Sequence, residues 1–149
     1  MSILDSPRAL AHYMAPVARG WRQLADMALA EFGVSNSAGW CLIHIDRMGG
    51  PVRQADLAES LDITQPSLVR TLDQLQLAGL VDRTPHPDDK RSNQIVLSEE
   101  GKALVERIEA KLGTLRTELL ADVPRQVVDS TVALMQLLSH RIAEKKSAS

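Results

Sequence analysis

The sequence predicts a mainly α-helical chain that contains one small β-hairpin. Between Arg53 and Leu97, two short amphipathic helices separated by a tight turn are followed by two short strands. On both sides of this segment, longer stretches carry apolar residues at helical spacing. The order helix, turn, helix, hairpin is typical of a winged helix-turn-helix, so we expect that unit with a flanking helical dimerisation region.

Two helices are predicted before the central segment. The first runs from Pro7 to about Glu31, and its apolar residues recur every three or four positions: Leu10, Met14, Val17, Trp21, Leu24 and Ala28. This stripe suits either one side of a core helix or a dimer interface, and we expect Trp21 in the core. Pro16 should kink the helix or shift its start. The second helix is predicted over residues 37–48.

The helix-turn-helix is predicted from local signals. Residues 54–61 form its first helix, and Asp62 stands where a turn often needs Gly, a position that short polar residues tolerate. Thr64 is placed to cap the second helix, residues 65–77, with Pro66 in its first turn. The helical period turns the apolar residues of this helix inward: Leu68, Leu72 and Leu75, with Val69 beside them.

The opposite face of the second helix is polar and carries Arg70 and Gln74. Arg reads guanine and Gln reads adenine in a major groove. For an isolated helix a solvated polar face is the simpler interpretation, but the neighbouring hairpin favours DNA recognition. The candidate DNA contacts are Thr64, Gln65, Pro66, Ser67, Arg70, Thr71, Gln74, Lys90 and Arg91.

The hairpin is predicted from strands over residues 80–84 and 94–97, after Gly79 has ended the recognition helix. Its tip, PHPDDKRSN, contains two prolines that oppose strand pairing and two cations, Lys90 and Arg91. A basic tip beside a recognition helix can enter a minor groove. A solvated charged loop is the alternative.

Two further helices are predicted after the hairpin. Ser98 caps the first, which runs to about Ala121, and Pro124 opens the second, whose apolar stripe includes Val132 and Met135. The terminal helices carry more apolar surface than one chain of this size easily covers, which favours a homodimer on pseudo-palindromic DNA. Residues 1–32 and 101–149 would form the dimerisation region, and residues 33–100 the DNA-binding lobe.

The composition and charge of the chain limit the classes of function that it can have. The 149 residues are 44% hydrophobic, with a net charge of −2, and the segment 53–97 holds five bases against seven acids. DNA binding therefore requires the bases to cluster on one face. No stretch resembles a membrane span or a signal peptide, which predicts a cytoplasmic protein. With one Cys, scattered His and no phosphate-binding loop, we expect no metal, no cofactor and no enzymatic activity.

The segment LAESLDITQPSLVRTLDQLQLAGLVDRTPHPDDKRSNQIVLSEEG resembles the DNA-binding core of the multiple antibiotic resistance regulator (MarR) family, and QPSLVRTLDQL resembles its SlyA-like subgroup. The resemblance implies a transcription regulator, usually a repressor, that binds double-stranded DNA. It places Pro66, Ser67 and Arg70 at the major groove and Arg91, supported by Asp89, at the minor groove. The alternative is a winged-helix protein-interaction module without sequence-specific DNA binding.

The resemblance extends to RGWRQLAD in the first helix and to Trp40 and His44 in the second. It implies a site for a small phenolic or aromatic carboxylate ligand. Arg22 would pair with the carboxylate, Trp40 would stack on the ring and His44 would donate a hydrogen bond. The alternative is that Trp40 and His44 are core residues with satisfied polar tips. Cys41 has no cation near it in sequence, which disfavours a redox role.

Overall fold

The computed structural model describes residues 5–85, 88 and 93–149. Within these residues the chain forms six α-helices and three strands: α1 (Ser6–Leu29), α2 (Asn36–Met48), β1 (Val52–Arg53), α3 (Gln54–Leu61), α4 (Gln65–Leu77), β2 (Val81–Pro85), β3 (Asn93–Leu97), α5 (Glu99–Leu119) and α6 (Arg125–Ser147). A short 3-10 helix, Ala30–Phe32, follows α1. The predicted fold class, mainly helical with a small antiparallel β element, is confirmed.

The first helix begins at a capped end. The Asp5 carboxylate accepts a hydrogen bond from the Arg8 backbone N–H, and α1 then continues through Pro16 to Leu29. The expectation that Pro16 would shift the start of the helix is therefore wrong. Proline removes one backbone donor, and a helix of 24 residues retains enough other hydrogen bonds to continue past it.

The sheet is antiparallel, with strand order β1-β3-β2. The sequence did not predict β1, whose Val52 and Arg53 pair with Ile95 and Gln94. Pro85 belongs to β2 and pairs with Asn93, so the hairpin tip was predicted to start one residue too early. An edge strand accommodates Pro because its outer side needs no partner for an N–H. The last residue of the predicted tip, Asn93, likewise belongs to a strand, β3. Of the residues between them, Asp88 is described, and the others, including Asp89, Lys90 and Arg91, lie outside the described residues.

Two hydrophobic clusters hold the first part of the chain together. The first joins α2, α3, α4 and the sheet through fully buried aliphatic residues that include Leu42, Leu57, Leu72 and Ile95. The second joins α1, α2 and α5 through Ala25, Leu29, Ile43, Ile108 and Leu112. In the second cluster Gly39 brings α2 close to α1, because a Cβ at this position would already lie 3.3 Å from the Leu29 side chain.

The apolar stripe of α1 is not buried. Its five large residues keep between 36% and 55% of their surface exposed: Leu10, Met14, Val17, Trp21 and Leu24. The expectation that Trp21 belongs to the core is therefore wrong for the single chain, because within this stripe it is Ala28, and not Trp21, that packs against the second cluster.

The chain divides into two compact units, Met1–Leu115 and Arg116–Ser149. The second unit contains the end of α5 and all of α6, a helix that buries none of its side chains. The division into a dimerisation region, residues 1–32 and 101–149, and a DNA-binding lobe, residues 33–100, stays a prediction about the assembled protein.

Candidate nucleic-acid interface and adjoining cavity

Two local features determine the turn between α3 and α4, a left-handed residue and a helix N-cap. Asp62 ends α3 in the left-handed conformation, with φ of 54°, as its place in the sequence predicted. The Thr64 side-chain oxygen then accepts a hydrogen bond from the Ser67 backbone N–H at 3.3 Å. Since the turn and the cap are both specified, the direction in which α4 leaves the turn is set by the sequence.

The α4 helix separates an apolar side from a polar side. Leu68, Leu72 and Leu75 are at most 1% exposed and pack into the first cluster. At the outer side, the structure leaves Gln65, Pro66, Arg70 and Gln74 exposed, while Ser67 and Thr71 are half-buried. Seven of the nine predicted DNA contacts therefore lie on or beside this outward side, and Lys90 and Arg91 lie outside the described residues.

The residues predicted to contact DNA differ in whether their side chains form hydrogen bonds within the protein. The Thr64 hydroxyl also donates to Ser67 Oγ, and the Thr71 hydroxyl donates to the Ser67 carbonyl. Gln65 Oε1 accepts from the Gln54 amide at 3.5 Å. In contrast, the side chains of Arg70 and Gln74 have no hydrogen bond or ion pair with any residue that the structure describes. Arg70 and Gln74 are thus the groups most available to an outside partner.

A cavity of about 600 Å³ lies beside this outward side. One wall comes from α1 and α2 and contains Arg22, Asp26 and Trp40, and the other comes from α4. The remaining lining is supplied by residues 35–37 at the start of α2, and by Leu61 and Ile63 at the end of α3 and in the turn after it. The complete lining is Arg22, Asp26, Ser35, Asn36, Ser37, Trp40, Leu61, Ile63, Ser67, Arg70, Thr71 and Gln74. The volume suits a small organic ligand.

The first wall of the cavity is a compact polar cluster. The Arg22 guanidinium lies over the Trp40 ring, 3.7 Å from its centroid, and Arg22 Nε is 3.5 Å from Asp26 Oδ1. Trp40 Nε1 donates to the same carboxylate oxygen at 2.7 Å. No role was predicted for Asp26, although its place four residues after Arg22 is an ion-pair spacing on a helix. An aromatic ligand on this face of Trp40 would have to displace the guanidinium.

His44 is placed apart from this cluster. Its Nδ1 is hydrogen-bonded to Ser60 Oγ at 2.8 Å, and it is not in the cavity lining. Burial, and then the positive charges of Arg47 and Arg22, lower the pKa of His44. The structure therefore brings Arg22 and Trp40 together but not His44. The polar tips of Trp40 and His44 are both hydrogen-bonded, as the core interpretation expected, while Trp40 still lines the cavity.

Cys41 is turned into the first cluster and is 1% exposed. Burial raises the pKa of its thiol to about 12. Because the thiolate is the reactive form, this environment opposes oxidation at neutral pH.

No group of three or more His, Cys, Asp or Glu side chains in residues 5–85, 88 and 93–149 could hold a metal ion. In the same ranges, no helix is both long enough and apolar enough to cross a membrane.

The fold and the exposed polar side of α4 define a winged helix-turn-helix protein. Comparison with known proteins agrees: the sequence profile of the MarR family matches residues 32–92. The transcriptional regulator PA3341 is 30% identical, the match covers 94% of this chain and 99% of that chain, and the TM-score is 0.77. The chain belongs to the MarR family, whose members are transcription regulators.

Two more distant structures share the fold. A mutant MarR from E. coli, complexed with operator DNA, is 23% identical, with a TM-score of 0.73 and coverage of 93% of this chain and 99% of that chain. CouR from Rhodococcus jostii RHA1, bound to p-coumaroyl-CoA, is 21% identical, with a TM-score of 0.73 and coverage of 87% and 90%.

Proposed function

We propose that this chain is a homodimeric transcription regulator that binds pseudo-palindromic operator DNA and acts as a repressor. One observation carries the proposal: α4 buries its leucines fully and leaves Arg70 and Gln74 exposed without partners among the described residues. A helix held in this way presents a guanidinium and an amide, the two groups that read guanine and adenine in a major groove.

The proposed contacts have different roles. Arg70 and Gln74 contact base edges, while Thr64 and Gln65, near the amino end of α4, lie where a helix approaches the phosphates. Pro66, Ser67 and Thr71 complete the surface without adding negative charge. Lys90 and Arg91, with Asp89 as support, remain the proposed minor-groove contacts of the hairpin tip. All of these roles are proposals drawn from exposure, chemistry and the family pattern.

A second copy of the chain is proposed to cover the apolar surfaces of both units. In the first unit, the stripe of α1 keeps Val17 55% exposed and Leu24 40% exposed. In the second unit, α6 leaves Val132 and Ile142 each 51% exposed. Large exposed apolar surfaces usually mark protein contacts. A twofold axis would then place two α4 helices in successive major grooves, about 34 Å apart.

We also propose that the cavity binds a small aromatic carboxylate that releases the DNA. Its lining contains two guanidinium groups, Arg22 and Arg70, against the single carboxylate of Asp26, so its charge favours an anion. His44 lies outside the cavity lining and is bonded to Ser60, so the proposed ligand contacts are those of Arg22 and Trp40. A ligand bound here would favour a conformation that binds DNA poorly. The shift toward that conformation is limited by the ratio of the ligand's affinities for the two conformations.

The compared proteins are consistent with both parts of the proposal. The E. coli MarR mutant was crystallised with operator DNA, and CouR carries an aromatic acyl thioester, p-coumaroyl-CoA. Within the family, the segment QPSLVRTLDQL and the pair Trp40 and His44 support placement in the SlyA-like subgroup. A winged helix used only for protein contacts is the competing function.

The DNA-binding part is tested by selection from a random duplex library with the purified wild-type chain, followed by titration of the recovered duplex. Arg70→Ala should weaken binding by about 1–3 kcal/mol. Arg125→Ala is a matched control, because it removes the same charge from an exposed position on α6. Recovery of no sequence, or equal losses for the two variants, would favour the protein-interaction alternative.

The ligand part is tested separately, with salicylate as the probe. In a Trp21→Phe background, Trp40 is the remaining tryptophan, so its fluorescence reports on the cavity. Salicylate should quench this emission and weaken DNA binding, and Arg22→Gln should abolish both effects. Arg19→Gln, one turn earlier on α1 and outside the cavity lining, should abolish neither. An unchanged emission would exclude the proposed ligand class without affecting the DNA-binding proposal.

A further inference from the structure

Arg83 connects the hairpin to the recognition helix. Its Nε donates to Gln76 Oε1 at 2.8 Å, and its Nη2 donates to Asp73 Oδ1. Arg83 lies on β2, whereas Asp73 and Gln76 lie on the second half of α4. The Arg83 side chain is 20% exposed and that of Asp73 is 54% exposed. The ion pair is therefore at the edge of the lobe, with its carboxylate open to solvent.

The position of Asp73 makes this ion pair relevant to DNA binding. Asp73 is adjacent in sequence to Gln74 and follows Arg70 by three residues, so the Asp73 and Arg70 side chains start from neighbouring positions on the helix surface. A carboxylate without compensation at this place would repel DNA phosphates. It would also attract Arg70 into an ion pair along the helix and away from the bases.

The charge of the surrounding segment makes such compensation necessary. Residues 53–97 hold seven acids and five bases, so the polar side of α4 has no excess of cations to offset a free carboxylate. Arg83 is positioned for this role because Gln76 fixes its Nε, which directs the other side of the guanidinium to Asp73. A planar guanidinium can make both hydrogen bonds at once, whereas a lysine could supply only a point charge.

We propose that Arg83 is a positioning residue for DNA recognition: it neutralises Asp73 and holds the carboxylate away from Arg70, so that Arg70 stays available to the bases. Arg83 acts through Asp73 and need not touch the DNA. This inference rests on the proposed function of α4 as the recognition helix, and it assigns a positioning role at that surface to a residue of the hairpin.

Three variants test the inference: Arg83→Gln, Asp73→Asn and the double variant. The probe is the duplex that the wild-type chain recovers from a random library, titrated at fixed salt. Arg83→Gln should weaken binding about tenfold, the scale of one lost DNA contact. Asp73→Asn alone should bind at least as tightly as the wild type, and adding it to Arg83→Gln should restore most of the lost affinity.

A purely structural brace gives a different pattern. If the ion pair only fastened β2 to α4, Asp73→Asn would weaken binding as much as Arg83→Gln, and the double variant would show no recovery. That pattern, or wild-type affinity in Arg83→Gln, overturns the inference while leaving DNA binding by α4 intact. Thermal unfolding checks that each variant folds, and if Arg83→Gln does not, the affinity of Asp73→Asn alone decides between the two roles. A wild-type chain that recovers no duplex overturns the proposed function and the inference together.

Discussion

Replacing Gly101 by Ala should test how α5 is joined to the winged helix-turn-helix. A Cβ built on Gly101 would lie 2.1 Å from the Leu80 carbonyl oxygen, whereas real Cβ atoms essentially never come closer than 3.0 Å. The obstacle is backbone, so no side-chain rotation relieves it. The amino end of α5 would have to move away from Leu80 by roughly the missing ångström.

That movement disturbs hydrogen bonds at the same junction. The Ser98 N–H donates to the Leu80 carbonyl at 3.0 Å, and the Gly101 N–H donates to Ser98 Oγ at 3.0 Å. Overpacking typically costs about 1–3 kcal/mol, and a weakened backbone hydrogen bond adds about 1 kcal/mol. The better helix propensity of Ala returns about 1 kcal/mol. We therefore expect Gly101→Ala to lower the free energy of unfolding by about 1–3 kcal/mol.

The assay is equilibrium unfolding in urea, followed by circular dichroism. Gly20→Ala is the matched control, because Gly20 lies inside α1 and a Cβ there would meet nothing within 4 Å. This control should be as stable as the wild type, or more stable by about 1 kcal/mol. If Gly101→Ala were as stable as the Gly20→Ala control, the close approach of α5 to the Leu80 carbonyl would be refuted.

Three further predictions concern single groups. Burial holds the pKa of His44 below its value in the unfolded chain, so the unfolded chain binds the proton first and the free energy of unfolding should decline as the pH falls below about 6.5. His44→Asn should make this decline shallower when urea unfolding is measured at several pH values. An unchanged slope would contradict the assignment of the pH dependence to His44. Cys41, being 1% exposed, should react with iodoacetamide only after denaturation, and fast alkylation of the native chain would refute its burial. Thr64→Ala should cost about 1 kcal/mol of unfolding free energy through loss of the α4 cap, whereas Thr64→Ser should not.

The helix-turn-helix was predictable because local signals specify it. Asp62 in the left-handed turn, Thr64 at the cap and Gly79 after α4, with φ of 75°, all have the conformations that their residue types favour. The helical period of Leu68, Leu72 and Leu75 gave the buried side correctly. These features depend on residues within a few positions of each other, and the sequence alone contains that information.

Features that depend on distant partners were missed. The two-residue strand β1 exists only because it pairs with β3, and a segment so short has no alternation to detect. Pro85 was assigned to the loop because proline disfavours strands, but its place at the sheet edge depends on the strand order. Trp21 was expected in the core because apolar periodicity cannot distinguish a core-facing stripe from one that awaits a partner chain.

At the candidate sites, too, local features were predicted and contacts between distant residues were missed. The resemblance placed Arg22 and Trp40 near one another, and both line the cavity. It did not indicate that Asp26 would bind Trp40 Nε1 from fourteen residues away, or that His44 would bond to Ser60 on α3. Residue spacing within one helix gives a face, whereas contacts between helices require the packed structure.

The proposed function requires that two chains place two α4 helices on one duplex. Analytical ultracentrifugation of the purified chain with the selected duplex measures the number of chains bound. We expect two chains per duplex and an inverted repeat whose half-sites lie about one helical turn apart. One chain per duplex, together with a recovered sequence that lacks any inverted repeat, would contradict it.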